Sequence, residues 1–79
     1  MMPNDKKILI LGGGQMQIPI IECANALGMH TVVADMAADA PGLLIAKERL
    51  LISTMDMDRI REYCHRHPID GIRRPSPSG

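Results

Sequence analysis

Three consecutive glycines, Gly12-Gly13-Gly14, follow the apolar run Ile8-Leu9-Ile10-Leu11 and precede Gln15 and a proline at position 19. Glycine carries no Cβ, so a strand that ends in such a run lets the main chain come close to a phosphate or a carboxylate. The helix expected next offers unpaired N–H groups and a partial positive charge at its start. Asp35 ends a second apolar run, 23 residues after Gly12. Dinucleotide-binding folds place the carboxylate that binds ribose hydroxyls there. Gly12, Gly13, Gly14, Gln15 and Asp35 therefore form the candidate substrate- or anion-binding set. The plainer alternative is a tight strand-to-helix turn with no ligand. The dinucleotide fingerprint is broken: Gln17 takes the place of the third glycine, and Pro19 shifts the helix start, which argues against a nicotinamide cofactor.

The other reactive side chains form no comparable set. His65 and His67 lie two apart on or just after a helix, which puts them on opposite faces. Cys64 and His67 could share a metal, but two further ligands at suitable spacing are lacking, so no metal site is expected. No Ser/His/Asp set or carboxylate pair stands at a catalytic spacing, and no catalytic residue is assigned. Met16 and Met57 are expected to fill gaps in the core.

These residues sit in a chain of 79 with nine Lys and Arg and nine Asp and Glu, a formal net charge of zero. There is no basic surplus for nucleic acid, and Tyr63 is the only aromatic, which removes stacking platforms. The longest stretch free of Asp, Glu, Lys and Arg, Ile8 to Ile21, is interrupted by glycines and falls short of a membrane span. Lys6-Lys7 before four apolar residues is too short for a signal peptide. Two cysteines, Cys23 and Cys64, without a CxxC pair point to reduced thiols and a cytoplasmic location.

The apolar pattern supplies the elements that would position the turn. Ile8–Leu11 reads as a strand buried on both faces. A helix is predicted to start between Gln15 and Ile18, with Ile20, Ile21, Ala24 and Leu27 on its buried stripe and Gly28 as its cap. Thr31–Ala34 reads as a second strand, and Asp39-Ala40-Pro41-Gly42 as a turn. Leu43–Ala46 is ambiguous and could be one helical turn. Arg49–Ile52 reads as a third strand. Asp56 caps a second helix, on which Met57, Ile60 and Cys64 share a face. Ile69–Ile72 opens a fourth strand. Strands separated by helices imply a parallel sheet, an α/β fold of about four strands. Arg73-Arg74-Pro75-Ser76-Pro77-Ser78-Gly79 holds no apolar residue. The expectation is a single domain over residues 6–72, incomplete at its C-terminal side, between disordered segments at 1–5 and 73–79. Its cut-short sheet edge is expected to support self-association.

Taken in order, Lys6 to Gln15, Ala26-Leu27-Gly28, Val32-Val33-Ala34-Asp35, Ala40-Pro41-Gly42, Ile52-Ser53-Thr54-x-Asp56 and Ile69-Asp70-Gly71-Ile72 resemble the N-terminal domain of ATP-grasp enzymes, in the branch labelled carbamoyl-phosphate-synthase-like. The resemblance covers residues 6–72. It implies a pre-ATP-grasp domain, a half-Rossmann sheet whose glycine turn faces the active-site cleft and helps to hold a small-molecule acceptor. It implies further that ATP and magnesium are bound by later domains, with no cofactor held by this chain, and that an ATP-derived acyl phosphate is attacked by an amine or another nucleophile. On that basis the chain is the substrate-side part of a ligase, inactive alone. The alternatives are a small nucleotide- or dinucleotide-binding module and a truncated product without function.

Overall fold

The computed structural model describes residues 5–74. Four strands, β1 (Lys7–Leu11), β2 (His30–Ala34), β3 (Glu48–Leu50) and β4 (Gly71–Arg73), form one sheet in the order β3-β2-β1-β4. All three pairings are parallel, with Leu11 beside Ala34, Ala34 beside Leu50 and Ile10 beside Arg73. The connections are α1 (Ile18–Ala26), entered through a 3-10 turn at Gln15–Gln17, then α2 (Pro41–Ile45) and α3 (Met57–Arg66).

The α/β parallel sheet expected from the apolar runs is the fold observed, and both faces of the sheet are covered. On one face Ile10 and Val33 pack against Ile21 of α1 and Leu43 of α2. On the other, Leu9, Leu11, Val32 and Ala34 pack against Ile60 of α3. Alternate residues of a strand face opposite sides, so continuous apolar runs such as Ile8–Leu11 are what two covered faces require. Because α1 carries the chain to one side of β1 and α3 returns it to the other, β1 lies at the point where the strand order reverses. Open α/β sheets bind ligands at the carboxyl end of that point.

The elements depart from the sequence expectation in several places. Residues 41–45 form a short helix, which resolves the open reading of Leu43–Ala46 as a helical turn and takes in Pro41 and Gly42, expected as part of a turn. β3 runs from Glu48 to Leu50 rather than from Arg49 to Ile52, because β2 ends at Ala34 and offers no partner beyond Leu50. β4 begins at Gly71; ahead of it, Asp70 N donates to Lys7 O at 2.8 Å, and the Asp70 carboxylate accepts from Lys7 N at 2.7 Å. Met16 and Met57 are not gap fillers, being 91% and 40% exposed. Leu27 also turns outward, since it is the capping residue beyond the last turn of α1. Of the end segments expected to be disordered, Asp5 and Arg74 are exposed irregular chain and Arg73 closes β4. Residues 1–4 and 75–79 lie outside the described residues.

A polar cluster ties the amino ends of the strands together. Glu48 at the start of β3 accepts from the Tyr63 hydroxyl of α3, and its Oε1 lies 3.1 Å from His30 Nε2 at the start of β2. Lys7 Nζ at the start of β1 approaches the same carboxylate at 4.0 Å. The Tyr63 hydroxyl, and after it His30, hold the Glu48 carboxyl below its ordinary value. Burial, and then the bond to Glu48, push the Tyr63 phenol up.

Candidate functional site

At the carboxyl end of β1 the chain turns sharply. Gly12 adopts φ +104°, a conformation that side chains other than glycine rarely take, and its N–H donates to Ala34 O at 2.7 Å. Gly13 is buried and is gripped on both of its polar groups. Its N–H donates to Asp35 Oδ2 at 2.8 Å, and its carbonyl accepts from Gly42 N at 2.6 Å. Asp35 Oδ1 accepts from Ala37 N at 2.9 Å. The bond from Ala37, and after it the bond from Gly13, hold the Asp35 carboxyl below its ordinary value of 3.8, against a smaller opposing effect of partial burial. The carboxylate is therefore charged, and both of its oxygens engage the chain's own backbone.

Gly14 differs from its neighbours. Its φ of −69° and ψ of 172° suit any residue, and a Cβ built on it would meet nothing within 4 Å. The N–H groups of Gly14, Gln15 and Met16 open the helical segment, where the ladder provides no carbonyl for them. Gln15 is exposed in the 3-10 turn. Gln17, in the third-glycine place, turns its Nε2 back to within 3.4 Å of Leu11 O. Thus the residues singled out from the sequence do converge: the three glycines, Gln15 and Asp35 share the carboxyl edge of the adjacent strands β1 and β2.

One residue of this assembly was missed as a site element. Gly42 packs so closely on the turn that a Cβ there would lie 2.8 Å from both Gly13 Cα and Gly13 O, and 2.9 Å from Ile21 Cδ1. The close approach that a third fingerprint glycine would allow between α1 and β1 is made here by α2. The available signal was the run Ala40-Pro41-Gly42 ahead of Leu43-Leu44-Ile45, since proline suits the first turn of a helix.

Residues 5–72 match the family described as the ribonucleotide synthetase preATP-grasp domain. The chain belongs to that family. The formate-dependent phosphoribosylglycinamide formyltransferase of Erythrobacter litoralis is 33% identical over 71 residues, which is 90% of this chain and 18% of the relative. The enzyme of the same name from Bacillus subtilis is 32% identical over the same shares. The crystal structure of N5-carboxyaminoimidazole ribonucleotide synthetase from Thermotoga maritima superposes with a TM-score of 0.77 at 27% identity, covering 89% of this chain and 19% of that one. The chain thus spans under a fifth of the length of these relatives, and it corresponds to their N-terminal domain.

In this preATP-grasp domain the turn offers backbone donors, and there is no side-chain cation among the residues that build it. The described residues contain no group of three or more His, Cys, Asp or Glu that could hold a metal ion, and the one carboxylate at the turn is spent on backbone N–H groups. The residues present do not fit a magnesium site. No helix among the described residues is long and apolar enough to cross a membrane.

Proposed function

We propose that this preATP-grasp domain is the acceptor side of an ATP-grasp ligase, and that its glycine turn receives the phosphate of a phosphoribosyl acceptor. The observation that carries the reading is Gly14. Neither its backbone conformation nor its surroundings require glycine, so the fold gives no reason for a bare backbone there, and the close approach of a ligand does. The relatives add the substrate class, since their names describe a phosphoribosylglycinamide and an aminoimidazole ribonucleotide, both phosphorylated ribosides. A phosphate docked on the N–H groups of Gly14, Gln15 and Met16 also faces the favourable end of the helix dipole.

In this reading ATP and magnesium are held outside these residues, and their role is to activate a carboxylate as an acyl phosphate. What this chain contributes is orientation: it fixes the acceptor by its phosphate so that its nucleophile points into the cleft. A cytoplasmic location accords with two free thiols, Cys23 and Cys64. The test is a titration of the isotopically labelled chain with ribose 5-phosphate, followed by amide chemical shifts. Saturable shifts confined to residues 12–17, abolished by a folded Gly14→Val variant, are expected. Shifts that persist in that variant, or none in the parent chain, refute the reading.

A further inference from the structure

The carboxylate of Asp35 stands where a dinucleotide fold would bind ribose hydroxyls, yet both of its oxygens point into the protein's own main chain, at Gly13 N and Ala37 N. In the next peptide unit, the one that carries the Gly14 N–H, the carbonyl of Gly13 is held by Gly42 N. The Asp35 backbone is also anchored, its N–H donating to Leu50 O at 3.0 Å. Gly13 is therefore clamped between the end of β2 and the first turn of α2, and the plane of its peptide fixes where the chain goes next.

We propose that Asp35 and Gly42 are positioning residues that grip Gly13 from opposite sides and so aim the N–H groups of Gly14, Gln15 and Met16, and that the Asp35 carboxylate makes no contact with the acceptor. Electrostatics gives this assignment its force. A negative charge beside a phosphate site opposes binding. Placing one there is productive only if it organises donors worth more than the repulsion. Asp35 does so by a charge-assisted hydrogen bond to the one amide that precedes the donor set. Gly42 completes the grip because only a residue without Cβ can bring its N–H to the Gly13 carbonyl, where any side chain would press on Gly13 itself.

This inference rests on the proposed phosphate site, but its test separates the two. In the labelled 79-residue chain, the Gly13 and Ala37 amide protons should move together as pH is lowered, with one shared midpoint below 3.8, the ordinary value for aspartate. Both should shift at neutral pH in Asp35→Asn. Inorganic phosphate and ribose 5-phosphate should each lose affinity by the same factor, about tenfold, in Asp35→Asn and in Gly42→Ala, the scale set by losing one hydrogen bond that supports the donors. Loss for ribose 5-phosphate alone would make Asp35 a hydroxyl ligand, and tighter binding of both would make it a mere repelling charge. Either result overturns the proposal. If the parent chain binds neither compound, the phosphate site fails. The pH titration of Gly13, which needs no ligand and no variant, then decides whether the grip exists, and a Gly13 amide that ignores Asp35 overturns it.

Discussion

Replacing Gly42 by alanine tests the packing at the heart of the turn, and the structure sets its magnitude. The new Cβ would lie 2.8 Å from Gly13 Cα and O, backbone atoms with no rotamer to yield, and 2.9 Å from Ile21 Cδ1. Forcing one extra carbon into a close-packed site costs typically ~1–3 kcal/mol. Moving α2 away to relieve it sacrifices the 2.6 Å bond from Gly42 N to Gly13 O. A bond of that kind contributes about 0.5–1.5 kcal/mol net. Against this, alanine is the better helix former by at most ~1 kcal/mol, and less in the first turn of so short a helix. The balance is a loss of about 2 kcal/mol, which for a domain of this size lowers Tm by roughly 8–16 °C. Gly14→Ala is the internal control. Its backbone suits alanine and its Cβ meets nothing, so stability should hold or rise by about 0.4–1 kcal/mol as the unfolded chain loses freedom. Thermal unfolding followed by far-ultraviolet circular dichroism reads both. A Gly42→Ala midpoint within about 2 °C of the parent, well under the shift expected of 1 kcal/mol, would refute the packing argument.

Four other outcomes are expected. Asp35 and Glu48 have folded-state values below their ordinary 3.8 and 4.5, so the stability they confer is complete above those values and is lost as pH falls through the lower folded ones; urea midpoints that do not fall between pH 6 and pH 3 would contradict this. NAD and NADP should bind no better than about millimolar, near −4 kcal/mol, because the Asp35 oxygens are engaged and Gln17 fills the third-glycine place; a micromolar constant by titration calorimetry would reverse the conclusion. The chain should not hydrolyse ATP, and turnover above a blank that disappears in Gly14→Val would show a triphosphate site in it. β4 is an edge strand with half-exposed Ile72, so sedimentation should reveal concentration-dependent association; a monomer at all concentrations would exclude that edge as a contact.

The strands at the centre of the sheet were legible because their signal is local. Ile8–Leu11 and Val32–Ala34 are apolar without interruption, the second led by β-branched Thr31, and each stops at a residue that cannot extend a buried strand. The glycine turn and the converging Asp35 were legible for the same reason, since a strand, a turn and a helix start follow one another in the chain. What Asp35 does was not. A carboxylate that binds ribose and one that binds Gly13 N occupy the same place in the sequence and differ only in which way the oxygens point. Helix α2 stays ambiguous in the sequence because five residues beginning Pro-Gly carry little helical propensity, and what holds them is the contact of Gly42 with Gly13, 29 residues away. Met16 reads as a core residue by type, but the 3-10 turn rotates it outward, a backbone detail that apolar periodicity does not register.

The strand order β3-β2-β1-β4 has a consequence for how the domain assembles. Pairing β1 with β2 joins Lys7 to His30, a loop of 23 residues, whereas pairing β1 with β4 joins residues 63 apart. By the logarithmic dependence of loop closure on length, the second step costs about 0.9 kcal/mol more if made first. Contacts between β1, α1 and β2 can therefore form the folding nucleus, and β4 docks onto a sheet already in place. As the chain leaves the ribosome, the glycine turn and its Asp35 clasp emerge and can set before Gly71 has been synthesised. The glycine turn is an early structure, and β4, the strand on the other side of β1, joins it afterwards.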